Sequence, residues 1–291
     1  MNGMTTLTTA LLDLSHELSG ADLKLIIGGG FGIYLKYREL LRTTRTTLLS
    51  KWPEPRSTND LHLFLRTELL ADSSRLVPLV QALDKLGYKP VETAKYYQFF
   101  RPGPGGGEAG SLKVDILTGP EPTLRSIGIK AKDRRAYPKP KINLHAHTLD
   151  EALTLEEYLQ AAIIDGRRNN GEAGRAEVFL PHSFTFIMMK AFALRDRIDD
   201  SEKDYGRHHA LDLYTTIAMM TEEDWDVSLE LRRRHSADDK VLEAAELVKQ
   251  LFGDEFSRGV LRLKESKYYR TEFQVKEFIA ALRDLFALGR T

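Results

Sequence analysis

Apolar positions recur along this chain with two different periods, and the change from one to the other divides it. Leu7, Leu11, Leu14 and Leu18 fall at helical spacing, so residues 4–19 predict an amphipathic helix. A β-rich run over 23–27 predicts a strand, and 31–41 a helix with Ile33, Tyr34 and Tyr37 near one face. Residues 43–58 are polar, with Pro53 and Pro55, and predict a loop into a strand at 61–65. Leu76, Leu79, Val80, Leu83 and Leu86 predict a helix over 72–86 that Gly87 can end. Two strand-like runs follow, 91–100 and 112–117, with Pro102-Gly103-Pro104-Gly105-Gly106-Gly107 between them as a hairpin tip. Short strands at 141–147 and 178–180 flank a turn at Asn169-Asn170-Gly171. From Pro181 onward the pattern is helical, with helices over 182–199, 203–220, 222–233, 238–252 and 271–288. The expected fold class is α+β: a mixed sheet with helices over 1–180, then an α-helical domain over 181–291, with a cleft between them.

Composition narrows the function classes only a little. The 291 residues suffice for one large or two modest domains. Lys+Arg and Asp+Glu stand at 42 each, so any attraction to nucleic acid must come from local patches. There is no cysteine, which excludes disulfides and thiolate metal sites. No 18-residue apolar run occurs, and the N-terminus lacks the basic start and apolar core of a signal peptide; no membrane partner is expected, and a cytoplasmic location is.

The candidate chemistry begins at Gly28-Gly29-Gly30, where the strand 23–27 meets the following helix. Glycines there let backbone approach a ligand, and the N–H groups that open a helix can hold an anion; a tight strand–helix turn needs glycine for structural reasons as well. Downstream, Asp60 enters the strand 61–65 and Asp115 lies within Val114-Asp115-Ile116-Leu117. An acid among apolar strand neighbours is costly to bury unless paired or metal-bound. A glycine turn for phosphates, with acids on neighbouring strands for divalent cations, is a layout for in-line phosphoryl displacement with pyrophosphate leaving.

With these motifs the chain resembles the polymerase-beta-like nucleotidyltransferase superfamily, closest to its AbiEii-type toxin and phage-defence branch. The resemblance rests on Gly28-Gly29-Gly30-Phe31, on Arg56-Ser57-Thr58-Asn59-Asp60-Leu61, on Met188-Met189-Lys190-Ala191-Phe192-Ala193-Leu194-Arg195-Asp196-Arg197, and on Lys203-Asp204 followed by Asp212-Leu213-Tyr214. It implies a nucleotidyltransferase fold, an NTP substrate, Mg²⁺ or Mn²⁺, an RNA acceptor such as a tRNA 3′ end, and a cognate antitoxin partner. Carried over residue by residue, it makes Asp60, Lys190 and Asp204 catalytic. It assigns the nucleotide to Gly28, Gly29, Lys190 and Arg197, and metal to Asp60, His62 and Asp115. Two departures stand out. His62 occupies the position of the expected second carboxylate, and imidazole is a poor ligand for a hard ion. The interval from Gly29 to Asp60 is long, which implies an inserted loop around 43–55. A catalytically degenerate module that binds a nucleotide or a partner is therefore the alternative function, and transfer to a small molecule such as an aminoglycoside a third.

On the helix over 182–199, Ile187, Ala191, Leu194 and Ile198 form the apolar stripe, and Lys190 borders it in a row with Arg197. Such a lysine either snorkels to the surface or aims a cation at phosphates. Asp204, His208 and Asp212 recur every fourth residue and are expected on one face of the next helix, as a polar stripe, a metal site or a cleft wall. His145 and His147 alternate on a strand, either as a metal pair or by accident. Ser183 and Ser201 have no nucleophile context, and the Gly105 run lacks the Lys-Ser/Thr of a phosphate loop. Two basic strips, Lys36, Arg38, Arg42, Arg45, Lys51 and Arg56 in the first and Lys130, Lys132, Arg134, Arg135, Lys139 and Lys141 in the second, suit a solvated surface or an RNA backbone. Tyr137 in the second can stack on a base.

Overall fold

The computed structural model describes residues 3–56, 58–103 and 111–287. The chain runs α1 (Gly3–Glu17), β1 (Ile26–Gly28), α2 (Gly29–Thr43), β2 (Asp60–Leu65), α3 (Thr67–Ala71), α4 (Val77–Lys85), β3 (Lys89–Pro90), β4 (Gln98–Arg101) and β5 (Leu112–Thr118). It continues through α5 (Glu121–Ser126), β6 (Lys130–Lys132), β7 (Arg135–Tyr137), β8 (Ala146–Thr148), β9 (Gln160–Arg167) and β10 (Ala173–Leu180). Helices α6 (Ser183–Arg195), α7 (Arg207–Ala218), α8 (Glu222–Arg234), α9 (Asp239–Leu251), α10 (Arg258–Lys264) and α11 (Val275–Phe286) complete it. The fold class is α+β, a mixed sheet with helices and then C-terminal helices. Among the described residues no helix is long and apolar enough to cross a membrane.

Two compact units form, Met1–Lys36 with Ser57–Pro181, and Tyr37–Arg56 with His182–Thr291. The first unit holds the sheet, whose strands run in the order β6-β7-β8-β5-β2-β1-β10-β9, with β4 pairing on β5 and β3 on β4. The pairings β1–β10, β2–β5 and β5–β8 are parallel and the others antiparallel. Alternation sorts the side chains. Leu61, Leu63, Val114, Ile116, Ala136 and Ala146 turn to one face and join the core with Leu7, Leu11 and Leu14 of α1. The opposite face carries Asp60, His62, Lys113 and Asp115, set in register as Asp60 against Lys113 and His62 against Asp115. Core burial on one face thus dictates where the polar residues of β2 and β5 project.

The second unit is built around α6, which is apolar on all sides and almost wholly buried from Ser183 to Phe192. His182 caps it, its Nδ1 accepting from the Phe184 N–H at 3.2 Å. A capping box between Thr221 and Asp224 opens α8. The polar segment at 43–56, which the sequence assigns to the first domain, belongs to this unit. Leu48 and Leu49 N–H donate to the carbonyls of Met220 and Ala218 (2.7 and 3.2 Å), and the Tyr214 hydroxyl donates to the Lys51 carbonyl at 2.5 Å.

Several elements depart from the sequence expectation. The run 91–100 yields only β4, because Glu92–Ala94 forms a 3₁₀ turn and Tyr96 takes φ +76°. The run 141–147 contributes only to the short β8. The sequence misses β9, which pairs with β10 along its whole length around the Asn169-Asn170-Gly171 turn. It also misses the β6–β7 hairpin and α10. Ser57 and the run from Pro104 to Gly107 lie outside the described residues.

The glycines at the start of α2 meet side chains of β2. A Cβ on Gly28 would stand 2.3 Å from the Phe64 ring, and one on Gly29, whose φ is +66°, 2.7 Å from His62 Nδ1. Gly28→Ala is therefore expected to lower unfolding free energy by about 1–3 kcal/mol through overpacking. In urea titrations the Gly28→Ala and Phe64→Leu double variant should be more stable than the sum of the two single losses implies; strict additivity would show that the ring does not set this requirement.

Candidate functional site

Each unit gathers its own chemistry. In the first, a cross-strand row runs from Gly28 on β1 through His62 on β2 and Asp115 on β5 to Gln98 on β4, each residue in register with the next. In-register neighbours share a face, so their side chains converge. The Gln98 amide donates to Asp115 Oδ1 at 2.6 Å, and His62 Nε2 stands 3.3 Å from Asp115 Oδ2. Burial works to raise the Asp115 pKa, but the bond and charge of His62 and the Gln98 donor outweigh it and hold the carboxyl below its usual range. Asp115 is therefore an anion at neutral pH. Asp60 shares the β2 face one pleat away, half-buried and in register with Lys113, and its own N–H donates to Thr58 Oγ1 at 3.3 Å.

The donor set tests the Mg²⁺ or Mn²⁺ that the resemblance implies. Among the described residues no three His, Asp or Glu side chains come together as a metal-binding group. Mg²⁺ commonly uses one or two protein carboxylates and completes its shell with water and substrate phosphates. Asp115 and Asp60 on one face fit a single ion of that kind. Two carboxylates are few for a pair of ions, and the residue in register with Asp115 is His62, an imidazole that already faces it.

In the second unit, the buried Lys190 of α6 meets the buried Asp212 of α7, Nζ to Oδ2 at 2.6 Å. Arg56 Nε lies 3.6 Å from the other oxygen, Oδ1. Burial foremost lowers the Lys190 pKa, with Arg56 and Arg197 adding to it and Asp212 opposing. Burial would raise Asp212, yet Lys190 and Arg56 bring it below its ordinary value. Two cations, Lys190 and Arg56, thus bear on one carboxylate, and Arg197 in turn bears on Lys190. Two neighbouring imidazoles relieve none of that excess. Burial and then the Arg56 charge push His208 down to about 4, and burial and then Lys190 push His209 well below its usual range.

The sequence-predicted residues separate accordingly. Gly28 and Gly29 lie at the β1–α2 turn, and the near side chains there are Phe64 and His62. His62 and Asp115 are brought together, with Asp60 on the same face. Lys190 is not a surface-bordering cation but a buried member of an ion pair. The expected row of Asp204, His208 and Asp212 is corrected. Asp204 lies in a 3₁₀ stretch at Ser201–Gly206 with φ +54°, before α7 begins, and its exposed carboxylate pairs with Arg207 at 2.8 Å. It touches neither Lys190 nor Asp212 through any bond described, and Asp212 is the carboxylate that pairs with Lys190. Arg197 is half-buried, and its guanidinium donates to the Ala193 carbonyl at 3.2 Å. The sequence reading missed the pairing of Arg56 with Asp212. The available signal was that Lys190 and Asp212 both sit on all-buried helices, where a charge needs a partner. His145 and His147 are engaged by aromatic rings: Tyr137 and Tyr96 pack on His145, and Tyr97 stacks on His147.

Comparison with protein-family models, with curated proteins and with solved structures gives no match.

Two outcomes follow from the buried cluster. Asp212→Asn leaves Lys190 and Arg56 facing a neutral group, and its expected cost is about 3–5 kcal/mol in denaturant unfolding. Lys190→Met with Asp212→Leu together should cost less than Asp212→Asn alone. His208 supplies a pH dependence. The unfolded chain takes up a proton near pH 6.5, whereas folded His208 resists it down to about 4. Stability is therefore fully present above pH 6.5 and declines as pH falls towards 4, and His208→Gln should flatten that slope in thermal melts across pH 4–7.

Proposed function

We propose that this chain transfers a nucleoside monophosphate from an NTP to an acceptor hydroxyl, within a nucleotidyltransferase-type fold. The observation that carries the reading is the row in which Asp60, His62 and Asp115 share one sheet face, with Gly28 in register beside His62 and Gly29 beneath its ring. In this reading Asp115 and Asp60 would hold one divalent cation, which supplies charge neutralisation for the phosphates. The acceptor oxygen bonds to the α-phosphorus while the bond to the bridging oxygen breaks and pyrophosphate leaves. The amides that open α2 hold phosphate oxygens. In the second unit Arg56, Lys190 and Arg197 outnumber Asp212, an excess of positive charge suited to a polyanionic ligand. An RNA acceptor and an antitoxin partner are part of the same proposal and rest on the motif resemblance.

A second reading has its own observation. His62 and Asp115 already satisfy one another, which suits a module that binds a nucleotide without turning it over.

The deciding experiment incubates the purified protein with each α-³²P-labelled NTP, Mg²⁺ or Mn²⁺ and total RNA, beside Asp60→Ala and Asp115→Ala. Transfer predicts label on RNA that falls at least about 100-fold in both variants, since each removes a group acting on the reacting phosphate. No label under any condition, with NTP binding retained in calorimetry, would overturn transfer in favour of the binding module.

A further inference from the structure

The sheet face that carries Asp115 does not stop being polar at β5. Leu117 is in register with His147 on β8, Arg135 on β7 is in register with the same His147, and Lys132 on β6 with Arg135. Lys130 likewise pairs with Tyr137. In-register residues project to one side, so His62, Asp115, His147, Arg135, Tyr137, Lys130 and Lys132 form one ramp, from the middle of the sheet to its β6 edge. The reverse face of the same strands is core, with Ala136 and Ala146 buried among Val114 and Ile116.

Rings and cations interleave along that ramp. The Tyr97 and His147 rings stack with centroids 5.7 Å apart and planes at 26°, and the Arg135 guanidinium lies 4.7 Å over Tyr97. Tyr137 packs on His145 at 4.7 Å. Tyr97, Tyr137, His147 and Arg135 are half-exposed, and Lys130, Lys132 and Arg134 exposed. Burial and the cations Arg134 and Arg135 lower His147, with Asp115 opposing, so its ring is a neutral stacking surface. The β6–β7 tip holds Asp133 and Arg134 at φ +53° and +57°, a two-residue turn of the type glycine and asparagine favour. An arginine in that conformation costs backbone energy, and its guanidinium stands 3.9 Å from the Glu151 carboxylate while remaining about half exposed to solvent.

We infer that this ramp is a track for single-stranded nucleic acid, with phosphates on Lys130, Lys132, Arg134 and Arg135, bases against Tyr97, Tyr137 and His147, and the strand's end directed to Asp115. Four strand spacings separate β6 from β2, about 19 Å, room for a few nucleotides. Half-exposed rings interleaved with cations are the composition by which proteins hold unpaired strands, since a stacked duplex offers no base faces to them. An acidic protein partner would use the cations but gain nothing from the rings. The inference rests on the transferase reading and deepens it by placing the acceptor, unpaired, on these strands, and it can fail while that reading stands.

The test is fluorescence anisotropy with a labelled 12-nucleotide single-stranded RNA, the full chain, and EDTA in place of NTP and metal, so that binding is read apart from transfer. The proposal expects binding that weakens with salt, with Lys132→Glu plus Arg134→Glu at least about tenfold weaker and with a log–log salt slope shallower by about 1.4. Tyr97→Ala should bind about tenfold more weakly and Tyr97→Phe as wild type, because stacking needs the ring and not the hydroxyl. The same sequence as a blunt duplex should bind less tightly than the single strand. Equal affinity across all four proteins, tighter binding of the duplex, or displacement by polyglutamate that Tyr97→Ala leaves unchanged would each overturn the track. Calorimetric NTP binding by the charge-reversed variant, expected unchanged, shows that the protein remains folded. A wild-type protein that labels other acceptors but not RNA would overturn the track as an acceptor site and leave the transferase reading standing.

Discussion

A side chain at position 28 or 29 would collide with the ring of Phe64 or of His62, and the middle of the sheet is built on that exclusion. The glycines let β1 lie against β2 with bulky rings standing over the turn into α2. His62 is thereby held over backbone on one side and reaches Asp115 on the other. The two strands owe their order to the core beneath them, where Leu61, Leu63, Val114 and Ile116 are buried. The polar face above is a consequence of the pleat: once alternate residues are committed to the core, the remainder have one direction left. Steric demand, hydrophobic burial and the convergence of titratable groups are one arrangement here.

The second unit solves a different problem. Its central helix α6 is apolar all round, so Lys190 is buried and needs a counter-charge from a neighbouring element. Asp212 supplies the counter-charge from α7 and Arg56 approaches from a segment far earlier in the chain. An ion pair so enclosed contributes little net stability compared with an apolar pair of the same size, because desolvation offsets most of the attraction. Its physical effect is specificity of assembly, since α6, α7 and the 43–56 segment must be aligned for every charge to be met.

The α+β class and the position of most helices were legible in the sequence, because long periodic runs such as those behind α1, α9 and α11 leave little ambiguity. The need of Asp115 for a partner or a metal was legible too, since it lies among apolar strand neighbours, but that His62 itself is that partner was not. Other features were hidden for identifiable reasons. β9 opens Gln160-Ala161-Ala162, and the first half of its partner β10 is Ala173-Gly174-Arg175-Ala176, so neither stretch signals burial strongly; the pairing itself, a long-range fact, defines them. Asp204 has the right spacing for α7 but the wrong backbone, because the Asp200 side chain accepts from the N–H groups of Glu202 and Lys203 and starts a tighter turn there. Arg56 beside Asp212 could not be read from spacing at all, as residues so distant in sequence meet only through the packing of loop 43–56.

That early segment has a consequence for how the polypeptide becomes a protein. Synthesis delivers Tyr37–Arg56 long before His182 and everything after it. Until the later helices emerge, Leu48 and Leu49 have no carbonyls from Met220 and Ala218 to bond, and Arg56 has no Asp212. The second unit therefore cannot complete itself from its own continuous stretch of chain, and a fragment starting at His182 would lack a part of its fold. The connectivity thus makes completion of the helical unit depend on two stretches of chain that are far apart in sequence.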